Sequence, residues 1–195
     1  MTKAGRPRRS SRPMLEDAAQ ELFLEQGYTR TTIDQITRRA GVARNTYFNY
    51  FQAKGDILWV DVDDALAALE AKLSGLPEGS AAPKDVVAAL LALADSPAGT
   101  RVPWAVTQRE LLGLDGELAA SGAPRVLRAA AAIRRALPEG ERSDAFAAAV
   151  LGAALAGAAR WAGAGVRRGP LRNDVAAATE PVVRGFAETT ETAVD

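Results

Sequence analysis

Along almost the whole chain, apolar residues recur every three or four positions, and no run alternates β-branched with polar residues as a half-buried strand does. Residues at that spacing share one face of a helix, so the sequence can bury its apolar surface only by packing helices on one another. The expected class is therefore all-α. Leu15, Ala18, Ala19, Leu22 and Phe23 form the first such stripe, which Pro13 can help start and Gly27 can stop. In the segment "TTIDQITRRAGV", Thr32 precedes Ile33, and Gln35 stands three residues on, the spacing of a reciprocal capping box. A second helix starts there with Ile33, Ile36 and Ala40 on one side, and Gly41 supplies a tight turn before Val42. A third helix begins at Ala43 or Arg44. Two short helices joined by a glycine-containing turn make a helix-turn-helix of the kind used on DNA.

The third helix holds four aromatics within five residues, Tyr47, Phe48, Tyr50 and Phe51. They cannot all face one core. Its inward positions, set by spacing from Ala43, are Tyr47 and Phe51, with Tyr50 at the boundary. Arg44, Asn45, Phe48 and Asn49 fall on the opposite face. Arginine and asparagine carry paired hydrogen-bonding groups that match guanine and adenine edges in the major groove, and an apolar ring can lie against a thymine methyl or the sugar backbone. The alternative is a solvated polar face with one exposed ring.

Composition narrows the function. The 195 residues include neither cysteine nor histidine, which removes disulfides, thiolate chemistry, the common zinc ligands and the usual general base near neutral pH. No paired-carboxylate, nucleophile or phosphate-loop arrangement stands in their place, so the expectation is a protein that is not an enzyme and uses no metal or cofactor. The net charge of zero averages two unlike parts: residues 1–56 carry ten Lys/Arg against six Asp/Glu, and the remainder is acidic by the same margin. A polyanion partner is expected for the first part only. The basic start "MTKAGRPRRSSRP" lacks the apolar run of a secretory signal, and the uncharged run from Ala145 to Ala159 is short of the roughly 20 residues of a membrane span. A cytoplasmic protein without membrane contact is expected.

Beyond Asp56 the pattern predicts helices at 56–74, 83–94, 102–114, 117–136, 143–165 and 172–190, separated by breaks rich in proline and glycine. Pro181 should kink or split the last one near Glu180. The helix at 143–165 is apolar nearly all round, with Ala149, Gly152, Ala156 and Gly163 at spacings of three, four and seven. Small residues let a partner helix come close, so this helix and the last are the expected homodimer interface. The domain reading is a basic arm at 1–12, a helix-turn-helix domain at 13–56 and a helical effector-binding and dimerisation domain at 57–195.

From the first helix through "YTRTTIDQITRRAGVARNTYFNYFQAKGDIL", residues 28–58, the chain resembles the TetR-type transcriptional regulators. The shared elements are Gly-Tyr-x-x-Thr-Thr before the second helix, Ile-x-x-x-Ala-Gly-Val at the turn, Thr-aromatic-aromatic-x-Tyr-Phe in the third helix, and the following lysine. The resemblance implies that Thr32, Thr46, Tyr50 and Lys54 grip phosphates and that Arg44, Asn45 and Asn49 read bases. Phe48 stands where many members have tyrosine, so it is assigned a van der Waals role, and Ala43 replaces a capping serine. Within the basic arm, Lys3, Arg6, Arg8, Arg9 and Arg12 are expected to follow the DNA backbone or enter the minor groove.

The resemblance further implies a homodimeric repressor that leaves a palindromic double-stranded operator when a small hydrophobic or acyl-type effector binds. Trp59, Trp104, Leu112 and Trp161 are the expected apolar contacts to it, with Gln108 and Arg109 orienting. "KGDILWVDVDDAL" is similar to the mycofactocin-associated branch, whose proposed ligands are acyl thioesters of coenzyme A. The competing reading is an architectural DNA-binding protein that needs no effector.

Overall fold

A computed structural model of the chain describes residues 11–191, with side chains as far as Phe186. Among these the regular structure is ten α-helices and two short 3-10 helices, with no strand. Contacts divide the chain into two compact units. One holds the described residues up to Val60 together with Pro103–Gly122, and the other holds Asp61–Val102 and everything from Ala123.

In the first unit, α1 (Ser11–Gln26) buries the expected stripe of Leu15, Ala18, Ala19, Leu22 and Phe23. It ends where Gly27 takes a φ of 82°, and the Gly27 amide donates back to the Phe23 carbonyl at 2.9 Å. The turn before α2 (Ile33–Ala40) is closed by the predicted capping box. The Gln35 amide donates to the Thr32 hydroxyl at 3.3 Å, and the Thr32 amide donates to the Gln35 side-chain oxygen at 2.8 Å. Gly41 then adopts the left-handed region at φ 68°, where a Cβ would be strained, and the Val42 amide closes the turn on the Thr37 carbonyl.

The third helix, α3 (Arg44–Phe48), has only five residues, but the amides of Tyr50 and Phe51 still bond the Tyr47 carbonyl and carry the turn onward. Asp56 follows, its carboxylate accepting from the amides of Gln52 and Ala53 at 2.9 Å each. That acceptor starts a 3-10 helix, Lys54–Trp59, in place of the first turn of the α-helix expected from residue 56; α4 runs over Val60–Ser74.

Residues 103–122 were not expected beside these helices. The predicted helix at 102–114 is two separate turns, α6 (Trp104–Thr107) and α7 (Arg109–Leu112), parted at Gln108 and ended by Gly113 at φ 61°. Ala105 and Leu114 complete the first unit's core, and the Trp104 ring stacks on Phe23 at 6.3 Å. The first two turns of α8 (Asp115–Ala136) supply Glu117 and Ser121 to the same unit.

The second unit contains α5 (Pro83–Ala94), α9 (Glu141–Gly163) and α10 (Leu171–Glu191) with the neighbouring parts of α4 and α8. Its core joins Leu66, Leu69, Val86, Leu90, Ile133, Phe146 and Val150. Helices α9 and α10 pack on each other, and at Gly157 a Cβ would sit 2.6 Å from the Asp174 carbonyl oxygen. Helix α9 is long and apolar enough to cross a membrane by composition alone, yet Phe146, Ala147, Val150, Leu151, Ala154 and Trp161 on it are buried in this core.

Helix α10 continues through Pro181, and α8 through Pro124, without being split. Each proline leaves the carbonyl four residues back without its amide, and Ala120 and Ala177 both lie on exposed faces where water can donate instead.

Candidate nucleic-acid interface

The burial of the four rings follows the spacing argument. Tyr47 is wholly buried and Phe51 nearly so, whereas Phe48 is 44 % and Tyr50 45 % exposed. The Tyr47 hydroxyl donates to the Ala53 carbonyl at 3.1 Å, tying the end of the third helix to the following loop. Burial pushes the phenols of Tyr47 and Tyr28 well above the usual range, with Glu117 adding to the shift at Tyr28.

Arg44, Asn45, Asn49 and Tyr50 are exposed with Phe48, and Thr46 is half-buried. These positions lie on α3 and the turn that follows it, anchored from the opposite side by Tyr47, so their backbone is held while their side chains are open to a ligand. Thr32 is exposed at the start of α2, but its hydroxyl already donates to Gln35 at 3.1 Å. What it offers a phosphate is the N-terminus of α2, where unpaired amides and the helix dipole favour an anion.

Lys54 is placed differently from a free phosphate hook. Its ammonium donates to the carbonyls of Tyr28 at 2.9 Å and Thr31 at 3.0 Å and lies 4.0 Å above the Tyr28 ring. Burial holds its pKa below the ordinary lysine value. One of its three N–H groups is left for a further acceptor.

Three acidic neighbours set the electrostatics of the helix pair. Arg39 bridges back to Glu21 and Glu25 of α1, and its guanidinium holds the Glu25 carboxyl below the usual range. Arg44 pairs with Asp34 of α2, and its guanidinium carbon lies 5.5 Å over the Phe48 ring. Asp34 was not among the sequence candidates. No local pattern marks it, because the pair spans ten residues across a turn whose path the spacing alone does not specify. Arg6, Arg8 and Arg9 of the basic arm lie outside the described residues.

The six effector candidates fall in both units. Trp59, Trp104 and Leu112 pack on the first unit's core, Gln108 and Arg109 stand beside Thr107 and Glu110, and Trp161 lies in the core of the second unit with its indole N–H donating to the Gly169 carbonyl at 2.7 Å. The Trp59 indole is likewise engaged, donating to the Ser121 hydroxyl at 2.8 Å.

An exposed polar helix, anchored from behind and preceded by a capped helix and a glycine turn, has the arrangement of a helix-turn-helix of the DNA-binding kind. The model of the bacterial regulatory proteins of the tetR family matches residues 15–58, which span all three helices and the loop to the 3-10 turn. Residues 15–58 are thus similar to the DNA-binding domain of the TetR-family regulators.

Over 75 residues it is 37 % identical to a protein described as the mycofactocin biosynthesis transcriptional regulator MftR of Mycobacterium tuberculosis, a match covering 38 % of each chain. The similarity to that relative thus spans well under half of its length. Among solved structures, the fold resembles SmeT of Stenotrophomonas maltophilia in complex with triclosan, with 19 % identity, a TM-score of 0.56 and 91 % of each chain covered. It also resembles Thermus thermophilus FadR with lauroyl-CoA, at 23 % identity and a TM-score of 0.56, covering 89 % of this chain and 94 % of that one. At these identities the likeness describes the fold, which is all-α with an N-terminal helix-turn-helix and a C-terminal helical part.

Proposed function

We propose that this protein is a cytoplasmic homodimeric repressor that binds a near-palindromic operator and is released from it by a small hydrophobic or acyl-type ligand. The observation that carries the DNA-binding reading is the division of α3 and the turn after it, with Tyr47 and Phe51 buried and Arg44, Asn45, Phe48, Asn49 and Tyr50 exposed. Arg44, Asn45 and Asn49 supply base-edge donors and acceptors; Thr32, Thr46, Tyr50 and Lys54 supply phosphate contacts; Arg6, Arg8 and Arg9 add charge from the arm.

The dimer reading rests on α9. Ala145, Ala148, Gly152, Leu155, Ala156 and Ala159 are exposed along one stripe of that helix, opposite the side that packs on the core. An apolar stripe of small residues on a long helix allows a second copy to approach closely, and two copies read two half-sites about one helical turn apart. Leu155→Arg should therefore convert the dimer to monomer in light scattering at micromolar concentration. A wild-type monomer at that concentration would remove this part of the reading.

The effector reading draws on FadR and SmeT, whose structures hold lauroyl-CoA and triclosan, and on Trp59, Trp104, Gln108, Arg109 and Leu112 as candidate contacts. Trp59 and Trp161 would offer a ligand their rings only, since each indole N–H already has an acceptor. A ligand releases DNA only to the extent that it prefers the non-fitting state.

Selection of bound DNA from a random pool tests the whole proposal. A palindrome is expected, and lauroyl-CoA added to the complex should release it. Recovery of unenriched DNA would favour the effector-independent architectural reading instead.

A further inference from the structure

Arg44 opens α3, and Asp34 lies in the first turn of α2. The turn at Gly41 brings the two together, so that the Arg44 Nη1 donates to the Asp34 carboxylate while the Phe48 ring lies under the guanidinium. That ring is itself fixed, edge-on to the wholly buried Tyr47 at 5.6 Å. A carboxylate on one edge and a ring beneath together define the plane of the guanidinium and leave its Nε and Nη2 groups for another acceptor pair. Both partners are more than half exposed, at 56 % and 59 %, so the pair contributes little to folding. Its effect is on where Arg44 points.

We propose that Asp34 is a specificity-determining residue, which holds Arg44 in position for a guanine edge and away from phosphate. The proposal rests on the DNA-binding reading above. An unrestrained arginine must lose rotamer freedom to read a base, and one already held in its reading geometry loses less. The same carboxylate repels the DNA backbone. Any non-specific complex, in which Arg44 would swing to a phosphate, has to break the ion pair and leave Asp34 beside that phosphate. Asp34 thus favours the complex in which the guanidinium keeps its partner and adds a guanine, whose O6 and N7 accept from two of its N–H groups.

The test uses the full chain and the operator recovered from the random pool. The base pair read by Arg44 is first located as the one at which Arg44→Ala abolishes discrimination. At that base pair, Asp34→Asn should reduce discrimination by about three- to fivefold, the scale of an exposed ion pair. On random duplex, Asp34→Asn should bind more tightly, with a salt slope steeper by about one unit for each half-site as Arg44 gains a phosphate. In the Arg44→Ala background, Asp34→Asn should leave discrimination unchanged. Asp34→Glu, which keeps the charge on a longer stem, should retain the wild-type salt slope while losing part of the discrimination, and it serves also if the asparagine variant folds poorly.

Full discrimination by a folded Asp34→Asn protein, with an unchanged slope, would overturn the proposal and leave operator recognition intact. Absence of any sequence preference in the wild type would overturn the DNA-reading proposal along with it, and the two failures are told apart by the wild-type protein alone.

Discussion

Tyr47 and Phe48 are neighbours in sequence with opposite environments, and their substitutions should separate folding from binding. Tyr47→Phe removes the bond to the Ala53 carbonyl while keeping the ring, so urea unfolding should show a loss of about 1 kcal/mol with little change in operator affinity of the folded protein. Phe48→Ala should do the reverse. Stability should move by no more than about 0.5 kcal/mol, as for an ordinary surface change, while operator affinity falls because both the ring contact and the seat of Arg44 are lost. Thr32→Ala removes half of the capping box and should cost about 1 kcal/mol. Lys54 combines both roles: Lys54→Met leaves the Tyr28 and Thr31 carbonyls without their donor and should destabilise by roughly 1 to 3 kcal/mol, which denaturant titration would read before any DNA is added.

At the level of elements, identical residues differ by what faces them. Gly157 lies where α9 and α10 touch, and an added methyl would meet the Asp174 backbone at 2.6 Å, which cannot give way as a flexible side chain could. Gly157→Ala should therefore destabilise by about 1 to 3 kcal/mol in thermal or urea unfolding. Gly116, in the first turn of α8, has nothing within 4 Å of such a methyl. There, alanine should stabilise by up to about 1 kcal/mol through its lower backbone entropy in the unfolded chain. The helix boundaries show the same dependence on surroundings. The span 83–94 was legible to the residue, because Pro83 and Asp85 mark its start locally. The span 102–114 was not, because its apolar periodicity is satisfied equally by one helix or by two turns, and only the packing of Ala105 and Leu114 beneath it selects the two.

For the molecule as a whole, the absence of histidine and the shifted groups set the pH response. Burial raises Tyr28 and Tyr47 above their ordinary value of 10.0, so their contribution to stability is complete below about pH 10 and is lost as pH rises beyond it. Lys54, lowered by burial from 10.5, acts in the opposite sense just below that value, and the two larger tyrosine shifts outweigh it. On the acid side, Arg39 lowers Glu25 and Arg128 lowers Glu70 from 4.5; their contributions are present above that pH and are lost as it falls further. Thermal unfolding followed against pH should thus give a plateau between about pH 6 and 9 that falls away on both sides. A step inside the plateau would contradict this.

The sequence alone determined the helical class, the capped α2, the glycine turn, and which rings in and just after α3 face inward. Each of these is a local pattern, readable within about eight residues, because helix periodicity and capping depend on near neighbours. Tertiary structure decided the rest: residues 103–122 joining the N-terminal core, Lys54 drawn onto the Tyr28 and Thr31 carbonyls, Trp161 set in the second unit's core, and Arg44 paired with Asp34. Those contacts pair residues from ten to more than eighty positions apart, and a chain path that folds them together leaves no periodic trace in the order of its residues.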